Sequence, residues 1–163
     1  MYIAEVRFTG GAGQLAAALA SGANFAAEDM SEFNLLTSSK LSEEKTTRTY
    51  EEVTDAKDVT QNAMVYTVNA TSVDGSYYLY FNMDIINAAI EAGYTDIRFT
   101  AYGTKASDVF SLYLNGTLKQ YNVGGSGWTE YTFALADFGS DSTENYIYPG
   151  GATIAFSSVT FIK

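Results

Sequence analysis

The chain has 163 residues, with 9 Lys+Arg against 19 Asp+Glu, a formal net charge of −10, no His, no Cys, one Pro and one Trp. The missing His and Cys exclude Ser-His and Cys-His catalysis, His- or thiolate-bound zinc, and disulfides. The acidic balance argues against nucleic acid as a partner, because that binding needs clustered Lys and Arg to displace counterions.

At 47% apolar and 15% aromatic the composition supports a real core and excludes general disorder. The length fits one domain, residues 1–163, with a less regular part over 1–60 and the main strands over 61–163. No stretch approaches the roughly 18 consecutive apolar residues of a membrane helix, so membrane insertion is not expected. Residues 1–7 lack a basic segment followed by an apolar one, so no signal peptide is expected. The wealth of Tyr, Thr, Ser, Gly and Asn, with little Lys, points to an extracellular or cell-surface bacterial module.

Residues 2–9 alternate weakly, with Ile3, Val6 and Phe8 apolar, and read as an edge strand broken by Gly10 and Gly11. The Ala-rich run 14–20 reads as a short helix closed near Gly22. Residues 42–58 are the most charged stretch and read as a solvated loop, or as strands with a wet outer face. From residue 63 the pattern becomes strongly β. Residues 63–70 (AMVYTVNA) form a strand with Met64, Tyr66 and Val68 on one side, and Asp74-Gly75 supplies a tight turn. Residues 77–83 (YYLYFNM) are the next strand. Asp84 then caps a short helix with Ile85, Ile86, Ala89 and Ile90 at helical spacing, stopped at Gly93.

Residues 96–102 and 109–114 are strands, Asn115-Gly116 is a second tight turn, and 117–123 pairs back. The run 124–127 (GGSG) reads as a flexible loop beside Trp128, and 128–135 (WTEYTFAL) as a strand. Residues 137–151 read as a polar loop in which Tyr146 and Tyr148 are anchors or loop-edge binding residues. Residues 152–162 are the last strand, with a bulge near Ser157-Ser158 where the apolar parity changes. Many short strands and few helices predict an all-β fold: an antiparallel β-sandwich of the jelly-roll kind, with one or two short helices.

Side chains alternate across a strand, so parity sorts them into faces. Leu79, Phe81 and Met83, then Ile97, Phe99 and Ala101, then Phe110, Leu112 and Leu114, then Tyr131, Phe133 and Leu135 form the predicted core. The opposite faces carry Tyr78, Tyr80 and Asn82, then Arg98, Thr100 and Tyr102, then Ser111 and Tyr113, then Trp128, Glu130 and Thr132. Solvation alone would ask for Lys, Glu, Thr and Ser there. Rings beside hydrogen-bonding groups suit sugar, whose C–H face stacks on an aromatic ring and whose hydroxyls pair with polar side chains. The competing account is packing, since Tyr and Trp favour strands and pair across them without a ligand.

The segments YYLYFNM, WTEYTFALADF and ATIAFSSVTFIK, with residues 24–29 (NFAAED) as a first strand, resemble a jelly-roll, galactose-binding-like carbohydrate-binding module. The resemblance covers about two-thirds of the chain at the level of pattern. It implies a non-catalytic domain that binds polysaccharide or oligosaccharide and is joined to other modules of a secreted polysaccharide-degrading or cell-surface protein. Tyr78, Tyr80, Tyr102, Tyr113 and Trp128 would stack on sugar rings, and Asn82, Arg98 and Glu130 would meet the hydroxyls. Such modules often hold a structural calcium through an acidic residue in the last strand. Here that region reads Ser157-Ser158, which leaves Glu28, Asp29 and Asp137 as weak oxygen ligands.

Two other readings compete. The chain could be a structural or adhesive surface domain with its aromatics buried. Catalysis has a thin basis: Glu130 has no carboxylate partner on a neighbouring strand, and Arg98 with Tyr102 is an incomplete lyase pair.

Overall fold

The computed structural model describes residues 24–26, 35–37, 46–68, 78–148 and 153–163. The readings for residues 2–9, 14–20 and 73–76 lie outside these. In chain order the strands are β1 (Asn24–Ala26), β2 (Leu36–Thr37), β3 (Thr46–Thr54), β4 (Thr60–Val68) and β5 (Leu79–Phe81). Helix α1 (Met83–Glu91) follows, then β6 (Asp96–Gly103), β7 (Val109–Leu114), β8 (Thr117–Asn122), β9 (Thr129–Ala134), β10 (Asn145–Tyr148) and β11 (Thr153–Ile162). Among the described residues every strand ladder is antiparallel. The first sheet runs β3-β4-β11-β6-β9, with β1 on the second half of β11, and the second sheet runs β2-β5-β10-β7-β8.

The pairing explains the architecture. β7 pairs with β8, β6 with β9, β5 with β10 and β4 with β11. These eight strands are one long hairpin, wound so that successive pairs fall alternately in the two sheets. That winding is a jelly roll, and it makes an all-β sandwich. Its innermost turn is Asn115-Gly116, with φ of 46° and 79°. Two positive φ values give the primed turn whose twist matches that of the flanking strands, which is why an Asn-Gly pair sits there. The predicted bulge is present: the β11–β6 register shifts between Phe156 and Ser158. That shift keeps Ile154 and Phe156 on the same inner face as Val159 and Phe161.

The core lies between the sheets. Leu79, Phe81, Ile97, Phe99, Ala101, Leu112, Leu114, Phe133 and Leu135 are all buried there, as their parity requires, and Tyr131 packs against them half-buried. Met64, Tyr66 and Val68 join them from β4, while Ala63 and Val65 face the other way. Both open sides of the sandwich are bridged. Arg48 of β3 donates to the Leu36 carbonyl of β2 at 3.1 Å, and the Tyr131 hydroxyl of β9 donates to the Asn122 carbonyl of β8 at 3.1 Å.

Several local readings are sharpened or changed. The strand expected over 77–83 is three residues long, because Asn82 leaves the ladder to cap the helix. Its side chain accepts from the Asp84 amide at 3.1 Å, so Asn82 and not Asp84 is the cap; Asp84 sits in the first turn, where its charge suits the helix N-terminus. Of the helical apolar residues, Ile85, Ile86 and Ala89 are buried and Ile90 is 45% exposed. Within the charged stretch, Thr46–Thr54 form β3, paired along its whole length with β4 and with most of its side chains exposed, which is the wet-strand alternative. The polar loop over 137–151 contains β10, which completes the second sheet. In the GGSG run, Gly124 bridges to Gly103, and a Cβ on Gly124 would overlap the Lys105 carbonyl.

Candidate functional site

The winding divides seven of the eight candidate residues between opposite surfaces. Tyr78, Tyr80 and Tyr113 lie on the outer face of the second sheet. Arg98, Tyr102, Trp128 and Glu130 lie on the outer face of the first. Two sheets about 10 Å apart separate them, so no single sugar touches both sets. Asn82 belongs to neither, since its side chain is spent on the helix cap.

On the first sheet the rings and charges are engaged by the protein itself. Trp128 packs on Ala63, Val65 and Ala155 beside Val53, and its ring lies 5.6 Å from Tyr102 at 49°. Its indole N–H donates to the Val59 carbonyl at 3.0 Å, and its backbone N–H donates to Asp55 Oδ2 at 2.8 Å. Tyr102 is only 7% exposed. Arg98 lies 3.6 Å from Glu130 and donates to Thr132 Oγ1 at 3.4 Å. That ion pair is open to solvent and contributes little to stability.

Asp55 organises this end of the sandwich. Its Oδ1 accepts from the Lys57 and Val59 amides at 2.8 and 2.9 Å, and its Oδ2 accepts from Trp128. Burial pushes the carboxyl up, but the three backbone N–H groups and the Lys57 charge outweigh it and hold the carboxyl below the usual carboxylate range. The folded state therefore binds this proton less readily than the unfolded chain. The resulting stability is complete above the ordinary value of 3.8 and is lost as pH falls through the lower folded value. Asp55→Asn cannot accept from all three amides. It is expected to melt several degrees below the parent at neutral pH and to show a shallower loss of melting temperature on acidification below about pH 4. Asp141, held low by the backbone and hydroxyl of Thr143, retains its own part of that acid dependence.

The second sheet presents a different surface. Tyr146 and Tyr148 lie in strand β10 and not in a loop, and stand beside Tyr80 of β5, Tyr78 just before it and Tyr113 of β7. Tyr146 is the centre. Tyr78 stacks on one side at 4.3 Å and 28°, and Tyr113 stacks at 4.8 Å and 17°. Tyr80 meets Tyr146 edge-on at 5.6 Å, and Tyr148 meets Tyr78 edge-on at 5.5 Å. This is cross-strand aromatic pairing carried over three strands: Tyr146 is in register with Tyr80 on one side and with Tyr113 on the other. All five rings are half-buried. The hydroxyls of Tyr78, Tyr113, Tyr146 and Tyr148 take no partner among the described residues.

The same face continues onto Ser111, Leu118 and Gln120, where Gln120 donates to the Ser111 hydroxyl at 3.3 Å. Among the described residues no charged side chain occupies these outward positions of β5, β7, β8 and β10. Burial raises the Tyr146 phenol above its ordinary range, and the neighbouring phenols of Tyr78, Tyr113 and Tyr80 raise it further; Tyr148 is raised by burial and by Tyr78. These groups are neutral O–H at any physiological pH.

Of the three metal candidates, only Asp137 lies among the described residues. Asp137 is paired with Lys119 at 3.3 Å, Glu28 and Asp29 lie outside the described residues, and no group of three or more His, Cys, Asp or Glu able to hold a metal occurs among those described. Comparison of the chain with protein-family models, with curated proteins and with solved structures found no match.

Proposed function

We propose that this chain is a non-catalytic carbohydrate-binding module whose ligand lies on the outer face of the β2-β5-β10-β7-β8 sheet. The observation that carries the reading is the charge-free cluster of Tyr78, Tyr80, Tyr113, Tyr146 and Tyr148. Semi-rigid aromatics lose little rotamer entropy on binding, and each phenol brings an apolar body with a polar tip. The ring geometry sets the mode of contact. Tyr146 has Tyr78 and Tyr113 against its two sides, so its contribution is its outer edge and hydroxyl, while Tyr80, Tyr113 and Tyr148 border the cluster and offer ring surface. The recognition runs through neutral groups and invokes no metal ion. Such a module would work outside the cell, attached to other modules of a parent protein.

The stacking of the rings on one another favours a second reading, a structural or adhesive domain whose tyrosine face is stabilised by its own pairing. Affinity electrophoresis through gels containing soluble polysaccharides, with calorimetry on any positive, separates the two. Tyr113→Ala and Tyr148→Ala are expected to weaken glycan binding about tenfold each, the equivalent of one aromatic contact. Glu130→Gln, on the opposite surface, is expected to bind like the parent. Failure of every glucan, mannan, xylan and pectin to retard the protein would leave only the structural reading.

A further inference from the structure

We infer that the glycan taken by the tyrosine face is a neutral, hydroxyl-rich polymer and not an acidic one; this rests on the module reading above. A carboxylate or sulfate on a polysaccharide is an acceptor only, and proteins meet it with Arg or Lys in charge-assisted pairs. The tyrosine face has no such group among the described residues. The nearest cation along β8, Lys119, alternates to the other side of its strand from Leu118 and Gln120 and pairs with Asp137 at 3.3 Å. Arg98 is on the opposite sheet and paired with Glu130.

The chemistry present is complementary to hydroxyls. A phenol O–H both donates and accepts, as does a sugar hydroxyl, so each can satisfy the other in either direction. Four such groups with no partner of their own among the described residues sit within one cluster of rings. The formal charge of −10 adds long-range repulsion against any polyanion, strongest at low salt. Tyr146 and Tyr148 are both pushed up by burial and by neighbouring phenols, so these two groups remain O–H well above neutral pH.

The test is affinity electrophoresis and calorimetry at low ionic strength on two polymer classes, a neutral glucan, mannan or xylan and a de-esterified polygalacturonate. The parent protein is expected to bind at least one neutral polymer at least tenfold more tightly than the polygalacturonate. Leu118→Arg places a cation on the face at an exposed position in register with Tyr113. This variant is expected to gain polygalacturonate retardation without losing its fold by melting curve. Tighter binding of polygalacturonate by the parent overturns the neutral-ligand inference and leaves the module reading standing. No retardation by either class overturns the module reading itself.

Discussion

Asn145→Ala should lower the free energy of unfolding by about 3 kcal/mol. Asn145 opens β10 and is completely buried. Its amide donates to the Gly139 carbonyl at 2.8 Å and to the Asp141 carbonyl at 2.9 Å, and its Oδ1 accepts from the Gly139 amide at 2.8 Å. The side chain ties the turn before β10 to the strand and so sets where β10 enters the second sheet. Alanine leaves three backbone groups without partners, and each buried, unsatisfied group costs about 1 kcal/mol or more. Chemical denaturation measures the loss directly. Asn145→Asp is the sharper variant. One carboxylate oxygen still faces the Gly139 N–H, but the other faces two carbonyls, so the ionised form is disfavoured in the fold. The introduced carboxyl would titrate above its unfolded value, so this variant should regain stability as pH falls toward about 4, opposite in sign to the acid dependence of Asp55. A variant as stable as the parent at neutral pH would show that the turn is not held by this side chain.

Gly124→Ala should be comparably destabilising, by about 3 kcal/mol, the upper end of the usual cost of overpacking. A Cβ at Gly124 would run into the Lys105 carbonyl oxygen and come within 2.8 Å of the Ala106 backbone. Those atoms are main chain, so no rotamer change relieves the overlap. The β6–β7 turn would have to move, and with it Asp108, whose carboxylate accepts from the Lys105 amide at 2.8 Å. Gly116→Ala is the control. It carries a φ of 79° but has open space where the Cβ would go, so only the cost of a left-handed residue applies, about 1 kcal/mol. Equal melting temperatures for the two variants would contradict a close approach at Gly124. The same close approach gives Gly124 a packing reason that the composition of the GGSG run does not reveal. Glycine here admits a neighbouring backbone, and sequence composition does not separate that use from flexibility.

The missed strand shows where local reading stops. Residues 145–148 alternate as strongly as any strand in the chain: Asn145 and Ile147 are buried, and Tyr146 and Tyr148 point outward. Four residues inside a polar stretch carry too little periodicity to stand out, and Asn is an unusual opening for an inward position. The pattern Asn-Tyr-Ile-Tyr was the available signal, and with it the tyrosine count on the second sheet would have risen from three to five. Asn82 illustrates the converse. Its parity placed it outward beside Tyr80, while its capping chemistry, equally readable, removed it from the surface.

What the residues alone determined is the inside and outside of the longer strands, as at Ile97 and Phe99 and at Leu112 and Leu114, because alternation is a property of one extended segment and needs no partner. The turn at Asn115-Gly116, the bulge at Ser157 and the all-β class are legible for the same reason: each depends on a few adjacent residues. Only the tertiary structure decided which outsides meet. An outward tyrosine on β5 and an outward tyrosine on β6 look alike in sequence, yet the wound hairpin sends alternate strand pairs to opposite sheets. That winding joins Tyr78, Tyr80 and Tyr113 with Tyr146 and Tyr148, and it turns Arg98, Tyr102, Trp128 and Glu130 to the far side, because partners in a jelly roll are set by contacts between segments distant along the chain.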